Sequence, residues 1–184
     1  MSGKIFRIAA VLQAAIFLCS CTKSSLVTPI TVTPVVTATD TVYVPENSVD
    51  RSTLLQLVNG LRSHGCNCGG IAMPPVAALT WNGLLEKAAY NHSKDMALNK
   101  YFDHNGLDGS TPGARLDAVG YHWNFYGENI ATGNMDEQAV VLGWLNSPKH
   151  CHNMMDPNFT EIGVGRYNEL WTMELGKRNA VVAQ

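Results

Sequence analysis

Positive charge is scarce in this chain, and its scarcity excludes one large class of partners. Among 184 residues, 13 are Lys or Arg and 15 are Asp or Glu, which gives a formal net charge of −2. A protein that follows the phosphates of a nucleic acid needs a basic patch or stripe, and the sequence contains none. We therefore expect no nucleic-acid partner.

The amino-terminal apolar run is too short to cross a bilayer, which takes about 20 residues. Residues 8–18 are apolar except for Gln13, and the basic residues Lys4 and Arg7 precede them. A short basic region followed by a short apolar core is typical of a signal peptide. The segment is thus predicted to direct export.

The end of this segment carries a second signal, because Leu18-Cys19-Ser20-Cys21 resembles the bacterial lipobox. We predict that residues 1–21 form a lipoprotein signal peptide and that Cys21 is the lipidation site, which anchors the protein to a membrane. An ordinary signal peptide with two incidental cysteines is the alternative. The predicted location is the bacterial cell envelope, outside the cytoplasm, either periplasmic or at the cell surface.

Residues 22–49 have few charges and are rich in Thr and Val, with Pro29, Pro34 and Pro45 spaced along them. Repeated proline favours an extended, solvated backbone, so this segment is predicted to be a tether. A strand over residues 29–36 is the alternative, although its prolines would confine it to an edge. Residues 50–178 are predicted to form one domain, and residues 179–184 a C-terminal tail.

Apolar spacing places helices early in the domain and strands late. Asn82 is a plausible helix cap, Pro112 occupies a tolerated first helical position, and His92 falls on an apolar helix face as a hydrogen-bonded core residue. The predicted helices span residues 52–63, 82–99, 112–118, 136–145 and 148–154, and the predicted strands span residues 122–126, 162–167 and 170–175. This order predicts an α+β fold.

Four short blocks follow one another in a fixed order. His104 ends Tyr-Phe-Asp-His, Glu128 lies in Gly-Glu-Asn-Ile-Ala, and His150 ends Trp-Leu-Asn-Ser-Pro-Lys-His. Residues 158–165, Asn-Phe-Thr-Glu-Ile-Gly-Val-Gly, form the fourth block. Together they resemble the CAP superfamily, which comprises the cysteine-rich secretory, antigen 5 and pathogenesis-related proteins and their bacterial relatives. The resemblance covers roughly residues 54–176.

The resemblance implies a fold and a cleft. The fold would be a three-layer α-β-α sandwich with a small central antiparallel sheet, and His104, Glu128 and His150 would line the cleft. In the family this cleft holds two His and two Glu, and some members bind zinc or another divalent cation there. His104 and His150 are therefore candidate metal ligands, and Glu128 is a candidate catalytic base. Ser147 stands where eukaryotic members have the second Glu; Glu161 is a possible substitute.

Two functions remain open. One is a ligand-binding or interaction module for an envelope component, a lipid or a small molecule, in keeping with the family's association with sterols and lipids. The other is a metal-dependent hydrolase that acts on peptide or envelope substrates. The missing acid and the lack of an activated Ser or Cys motif favour the binding module. Inert, hydrogen-bonded roles for His104 and His150, and a loop-holding role for Glu128, are the remaining alternatives.

Three cysteines, Cys66, Cys68 and Cys151, would remain in the mature chain, and three thiols cannot all pair within one molecule. The family resemblance implies a Cys68–Cys151 disulfide, with Cys66 as the substitute partner. A zinc site that these cysteines form with His150 and His152 is one alternative. A nucleophilic role for Cys151 is another.

Overall fold

A computed structural model of the chain describes Val42 and residues 44–178. The predicted signal peptide with Cys21, most of the predicted tether and the predicted tail at 179–184 lie outside the described residues. Within the described part of the chain, no helix combines the length and apolar character needed to cross a membrane.

The described residues contain five helices and six strands. The helices are α1 (Arg51–His64), α2 (Gly83–Asn99), α3 (Pro112–Ala118), α4 (Glu137–Asn146) and α5 (Pro148–Met155). The strands are β1 (Cys66–Cys68), β2 (Ile71–Met73), β3 (Thr80–Trp81), β4 (Trp123–Thr132), β5 (Glu161–Tyr167) and β6 (Leu170–Arg178). All five predicted helices and all three predicted strands are confirmed, whereas β1, β2 and β3 were not predicted.

Local signals explain where the helices begin. The side chain of Asn82 accepts hydrogen bonds from the backbone N–H groups of Leu84 and Leu85, at 2.9 and 3.2 Å, so two otherwise unpaired donors at the start of α2 are satisfied. Thr111 caps α3 in the same way through the N–H of Ala114. These contacts are short-range, which is why the sequence predicted the helices well.

The main sheet has the strand order β3-β5-β6-β4. Strand β6 pairs antiparallel with both β5 and β4, while the two-residue strand β3 pairs parallel with β5. The sheet is therefore antiparallel except at this one edge. Strand β4 extends to Thr132, six residues beyond its predicted end at Tyr126, because it continues to pair with β6 as far as Leu170. Glu128 consequently lies inside a strand rather than after one.

Helices cover both faces of this sheet. Strand β5 carries two glycines, Gly163 and Gly165, where a side chain would overlap the backbone of α2, so that helix lies directly on the strand. Leu116 of α3 packs with α2 on this same side. The opposite face of the sheet packs against α1, α4 and α5, whose buried side chains include Leu54, Trp144 and Met154. The three-layer α-β-α sandwich is confirmed.

A buried arginine joins α1 to the segment that follows α5. The side chain of Arg62 is fully buried, and it donates hydrogen bonds to four backbone carbonyl oxygens. These belong to Ala77, Met154, Asp156 and Phe159. Since carbonyl groups removed from water need donors, one guanidinium here satisfies a stretch of irregular backbone.

The packed part of the chain starts before the predicted boundary at residue 50. Val44 and Val49 are buried, and the Asn47 amide donates to the side chain of Glu86 and to the carbonyl of Val164. It also accepts from the backbone N–H of Arg166. The last residues of the predicted tether therefore pack as part of the domain.

Candidate functional site

Glu128 is the centre of the predicted cleft, and both of its carboxylate oxygens are engaged. Its side chain is 2% exposed on β4. Oε1 accepts a hydrogen bond from Nδ1 of His104 at 2.6 Å, and Oε2 accepts one from Nη2 of Arg115 at 2.5 Å. Glu128 therefore holds two cationic side chains in place, one on each carboxylate oxygen.

His104 presents the opposite side of its ring to solvent. Because Nδ1 donates to Glu128, Nε2 is left for other partners, and 49% of the side chain is exposed. The hydrogen bond to Glu128 raises the pKa of His104, although partial burial opposes the effect. Burial also opposes ionisation of Glu128, but the bond from His104 and the charge of Arg115 outweigh it and lower the pKa of Glu128. The pair therefore favours an imidazolium and a carboxylate.

His150 reaches the same region from the first turns of α5. The side-chain amide of Asn129 donates to the carbonyl of His150 at 3.1 Å, and the amide of Asn153 donates to the carbonyl of Glu128 at 3.2 Å. These bonds tie α5 to β4. Burial, followed by the nearby charges of His104 and Lys149, lowers the pKa of His150. His150 thus lies near enough to His104 for the charge of one ring to affect the other, and the pKa of His104 is raised whereas that of His150 is lowered.

A second carboxyl group lies beside Glu128, and sequence reasoning missed it. Glu174 of β6 is directly opposite Glu128 in the β4–β6 ladder and is fully buried. Thr172, two residues earlier on the same face of β6, accepts a hydrogen bond from Ser93 of α2. Glu174 therefore faces the layer between the sheet and α2. A glutamate within an otherwise buried strand was the available signal, because this residue type is rarely buried without a partner.

Glu174 is best described as a protonated acid. Within the described residues, neither of its carboxyl oxygens meets a hydrogen-bond donor, and the neighbouring polar group is the Glu128 carboxylate. Burial, together with the negative charge of Glu128, raises the pKa of Glu174 well above its usual value. A protonated Glu174 donates its own hydrogen to Glu128, which removes the repulsion and satisfies a buried oxygen.

Glu161, the possible substitute for the missing acid, is not in the cleft. It forms an ion pair with Arg178 at 2.6 Å and accepts hydrogen bonds from Asn82 and from the Tyr121 hydroxyl. These contacts occupy its carboxylate at the start of β5. The acid that accompanies Glu128 comes from β6 instead.

His92 is a core residue, as its position on the helix predicted. It is 1% exposed, and its Nε2 donates to the backbone carbonyl of Asp103 at 3.0 Å. Its Nε2 is also 4.0 Å from Oε2 of Glu128. Burial lowers the pKa of His92, which keeps the imidazole neutral beside Arg115. Its backbone contact holds the segment immediately before His104.

Cys68 and Cys151 form a disulfide, the pair that the family resemblance implied. The bond joins β1 to α5, next to His150. It removes two ligands from the alternative zinc site and removes the thiol that a nucleophilic Cys151 would need. Cys66 is a free, half-buried thiol, and burial raises its pKa.

The cleft residues offer an incomplete set of metal ligands. Nε2 of His104 and the imidazole of His150 are available, whereas catalytic zinc sites use three protein ligands. Among the described residues, the one set of three ligand side chains whose donor atoms all lie within 4.8 Å of one another is Cys66, Cys68 and Cys151. A cation in the cleft would therefore be coordinated by the imidazoles of His104 and His150. Its remaining ligands would have to come from outside the cleft residues.

Several bacterial proteins share the sequence pattern and the fold of this chain. The chain is 38% identical to the uncharacterized protein YkwD of Bacillus subtilis over 96 residues, which are 50% of this chain and 37% of that protein. An extracellular protein of Bacillus anthracis containing an SCP domain has a similar structure, with a TM-score of 0.62 and 33% identity. The match covers 69% of this chain and 40% of that one.

A third relative is an outer surface protein of Borrelia burgdorferi, with a TM-score of 0.56 and 25% identity, covering 70% of this chain and 89% of that one. The chain spans well under half the length of the two Bacillus relatives. The pattern of the cysteine-rich secretory protein (CAP) family matches residues 55–169, which are more than half of the chain. This protein therefore belongs to the CAP family.

Proposed function

We propose that this chain is a lipid-anchored CAP-domain protein of the bacterial cell envelope that binds a ligand in the cleft of His104, Glu128 and His150. One observation carries the proposal. Each oxygen of Glu128 accepts a hydrogen bond, one from His104 and one from Arg115, so the carboxylate fixes the His104 ring through Nδ1 and leaves its Nε2 available near His150. Such a cleft is arranged for recognition, and its carboxylate is not free to take a proton from a substrate.

The protonation bias of the two histidines favours a polar ligand. A protonated His104 donates a hydrogen bond through Nε2, whereas a neutral His150 offers a lone pair. A group that both donates and accepts, such as a hydroxyl or an amide, matches this pair. A divalent cation at Nε2 competes with protonation of His104, so the raised pKa of His104 weakens cation binding as the pH falls.

A separate apolar groove, lined by none of the three cleft residues, makes a lipid or another apolar molecule a suitable ligand for the binding module. It lies between α1 and α4, has a volume of about 190 Å³, and is lined mainly by Leu57, Leu61, Val141, Leu142 and Leu145. Leu142 remains 53% exposed there. Apolar side chains left open to water in a concave surface are typical of sites for acyl chains or other apolar groups.

The second candidate is a metal-dependent hydrolase, and one observation favours it. Metal-bound histidines commonly donate their other ring N–H to a carboxylate, which orients the ring, and Glu128 makes this contact with His104. With zinc bound, His104 and His150 would be its protein ligands and the ion would activate water. Glu174 would supply no further ligand, because its carboxyl group is fully buried.

A calorimetric zinc titration separates the two candidates. We expect the wild type to bind zinc weakly, the double variant His104→Ala/His150→Ala to lose that binding, and His152→Ala to retain it. His152 is the matched control because it lies on the same short helix, about 200° around from His150. A tight zinc site together with turnover of a peptide substrate would favour the hydrolase and contradict the binding module.

The lipid anchor has its own test. Cys21→Ser should abolish incorporation of a labelled fatty acid, since acyl transfer needs that thiol, whereas Cys19→Ser should leave the label in place. Both variants change one cysteine of the same segment, so a general export defect would affect them alike. Persistent labelling of Cys21→Ser would contradict the anchor. The extracellular and outer-surface relatives support the corresponding location outside the cytoplasm.

A further inference from the structure

Three sulfur atoms lie together where β1 meets α5. Cys68 and Cys151 are joined in a disulfide, and the free Sγ of Cys66 is 3.8 Å from Sγ of Cys68 and 3.7 Å from Sγ of Cys151. A free thiol in contact with both atoms of a disulfide is within reach of either one, and an in-line attack then needs only a rotation of the Cys66 side chain toward the end of the bond. The proposed ligand cleft does not use this cluster.

The β1–β2 hairpin creates the arrangement. Cys66 and Cys68 are separated by Asn67 on β1, so their side chains project from the same face of the strand. Across the hairpin they pair with Met73 and Ile71, which fixes their register. The turn also meets α5 directly, because a side chain at Gly69 would overlap the ring of Pro148. Strand and helix are thus held together by more than the disulfide.

We propose that Cys66, Cys68 and Cys151 form a thiol–disulfide exchange site in which Cys66 replaces Cys68 as the partner of Cys151. The Cys66 thiolate forms a bond to Sγ of Cys151 while the Cys68–Cys151 bond breaks. The electron pair leaves on Sγ of Cys68, which takes up a proton as Cys66 has lost one. One disulfide and one thiol exist before and after, so the step needs no oxidant or reductant.

Strand geometry selects this product over a Cys66–Cys68 bond. Residues two apart in a strand have Cα atoms about 6.6 Å apart, close to the upper limit of about 6.8 Å for a disulfide. Such a bond would bend β1 out of its pairing with β2. A Cys66–Cys151 bond joins two different elements and does not bend β1. In both forms, therefore, α5 remains cross-linked to β1.

The exchange moves the free thiol from a half-buried position to a buried one. Cys66 is partly accessible, whereas Cys68 is fully buried. In the exchanged form the free thiol is that of Cys68, which thiol-reactive reagents in solution cannot reach. Of the three sulfur atoms, only that of Cys66 is partly accessible, so a small thiol or disulfide in solution would react there first.

The wild-type full-length chain provides the decisive measurement. After incubation at mildly alkaline pH, the protein is quenched in acid, denatured and alkylated, and the labelled cysteine is located by peptide mass spectrometry. We expect label on both Cys66 and Cys68, and label confined to Cys66 in a sample kept acidic throughout. Label confined to Cys66 after the alkaline incubation as well would overturn the proposal.

Two serine variants test the geometry separately. In Cys68→Ser, we expect Cys66 and Cys151 to form a disulfide that links their two tryptic peptides, with neither thiol free. Cys66→Ser is the matched control, which should retain the Cys68–Cys151 bond and the melting temperature of the wild type. If Cys66 and Cys151 both remain free in a folded Cys68→Ser variant, the cross-link cannot be exchanged and the proposal fails.

Discussion

At the scale of single residues, the protonated carboxyl group of Glu174 makes the stability of the domain depend on pH. The pKa of Glu174 is raised in the folded state, so its contribution is most favourable at a pH below the pKa of the unfolded chain. As the pH rises from there, the unfolded chain loses the proton while the folded chain retains it, and stability is lost. Glu174→Gln removes this pH dependence and keeps a donor for Glu128. We expect the variant to match the wild type near pH 4 and to exceed its free energy of unfolding near pH 8.

The control for that measurement is Glu161→Gln, which should have the opposite effect at neutral pH. Glu161 is paired with Arg178 and accepts hydrogen bonds, so losing its charge should destabilise the domain by about 1–3 kcal/mol. Urea denaturation of both variants at the two pH values gives the comparison. If Glu174→Gln were destabilised equally at both, Glu174 would have to be an ionised, paired carboxylate rather than a protonated acid.

At the scale of elements, α2 and β5 are in close contact at Gly163. A β-carbon there would overlap the backbone of Leu85 and Glu86, and neither group can move without displacing the helix. We expect Gly163→Ala to lower the free energy of unfolding by about 3 kcal/mol or more, as overpacking does in a rigid contact. Gly60→Ala in α1 is the control. Its new methyl group meets open space, so we expect about 0.5–1 kcal/mol of added stability from the helix.

The same elements show what the sequence could predict and what it could not. The helices follow from local signals, such as the Asn82 cap, that act within a few residues. The hairpin of β1 and β2 was missed because its strands are only three residues long, although the glycine pair between them is a turn signal. The disulfide was implied by family resemblance alone. The proximity of Glu174 to Glu128 depends on the register of strands more than forty residues apart, which no local pattern contains.

At the scale of the whole molecule, the domain depends on residues that precede α1. The side chain of Asn47 makes three hydrogen bonds, to Glu86, Val164 and Arg166. Asn47→Ala should cost about 1–3 kcal/mol, because buried partners lose their bonds. Glu46→Ala changes an exposed neighbour and should stay within about 0.5 kcal/mol of the wild type. Thermal unfolding of both variants compares their stabilities. Equal melting temperatures for the two variants would show that the domain begins after residue 47.

This early attachment also determines which strand would bear a mechanical load. Asn47 is bound to β5, whereas the cleft is built on β4, and β6 lies between those two strands. Two strand spacings, about 10 Å, therefore separate the attachment from the cleft within the sheet. Tension applied through the amino-terminal segment would act first on the hydrogen bonds of Asn47 and then on β5. The cleft strand would stay relaxed until the sheet itself began to separate.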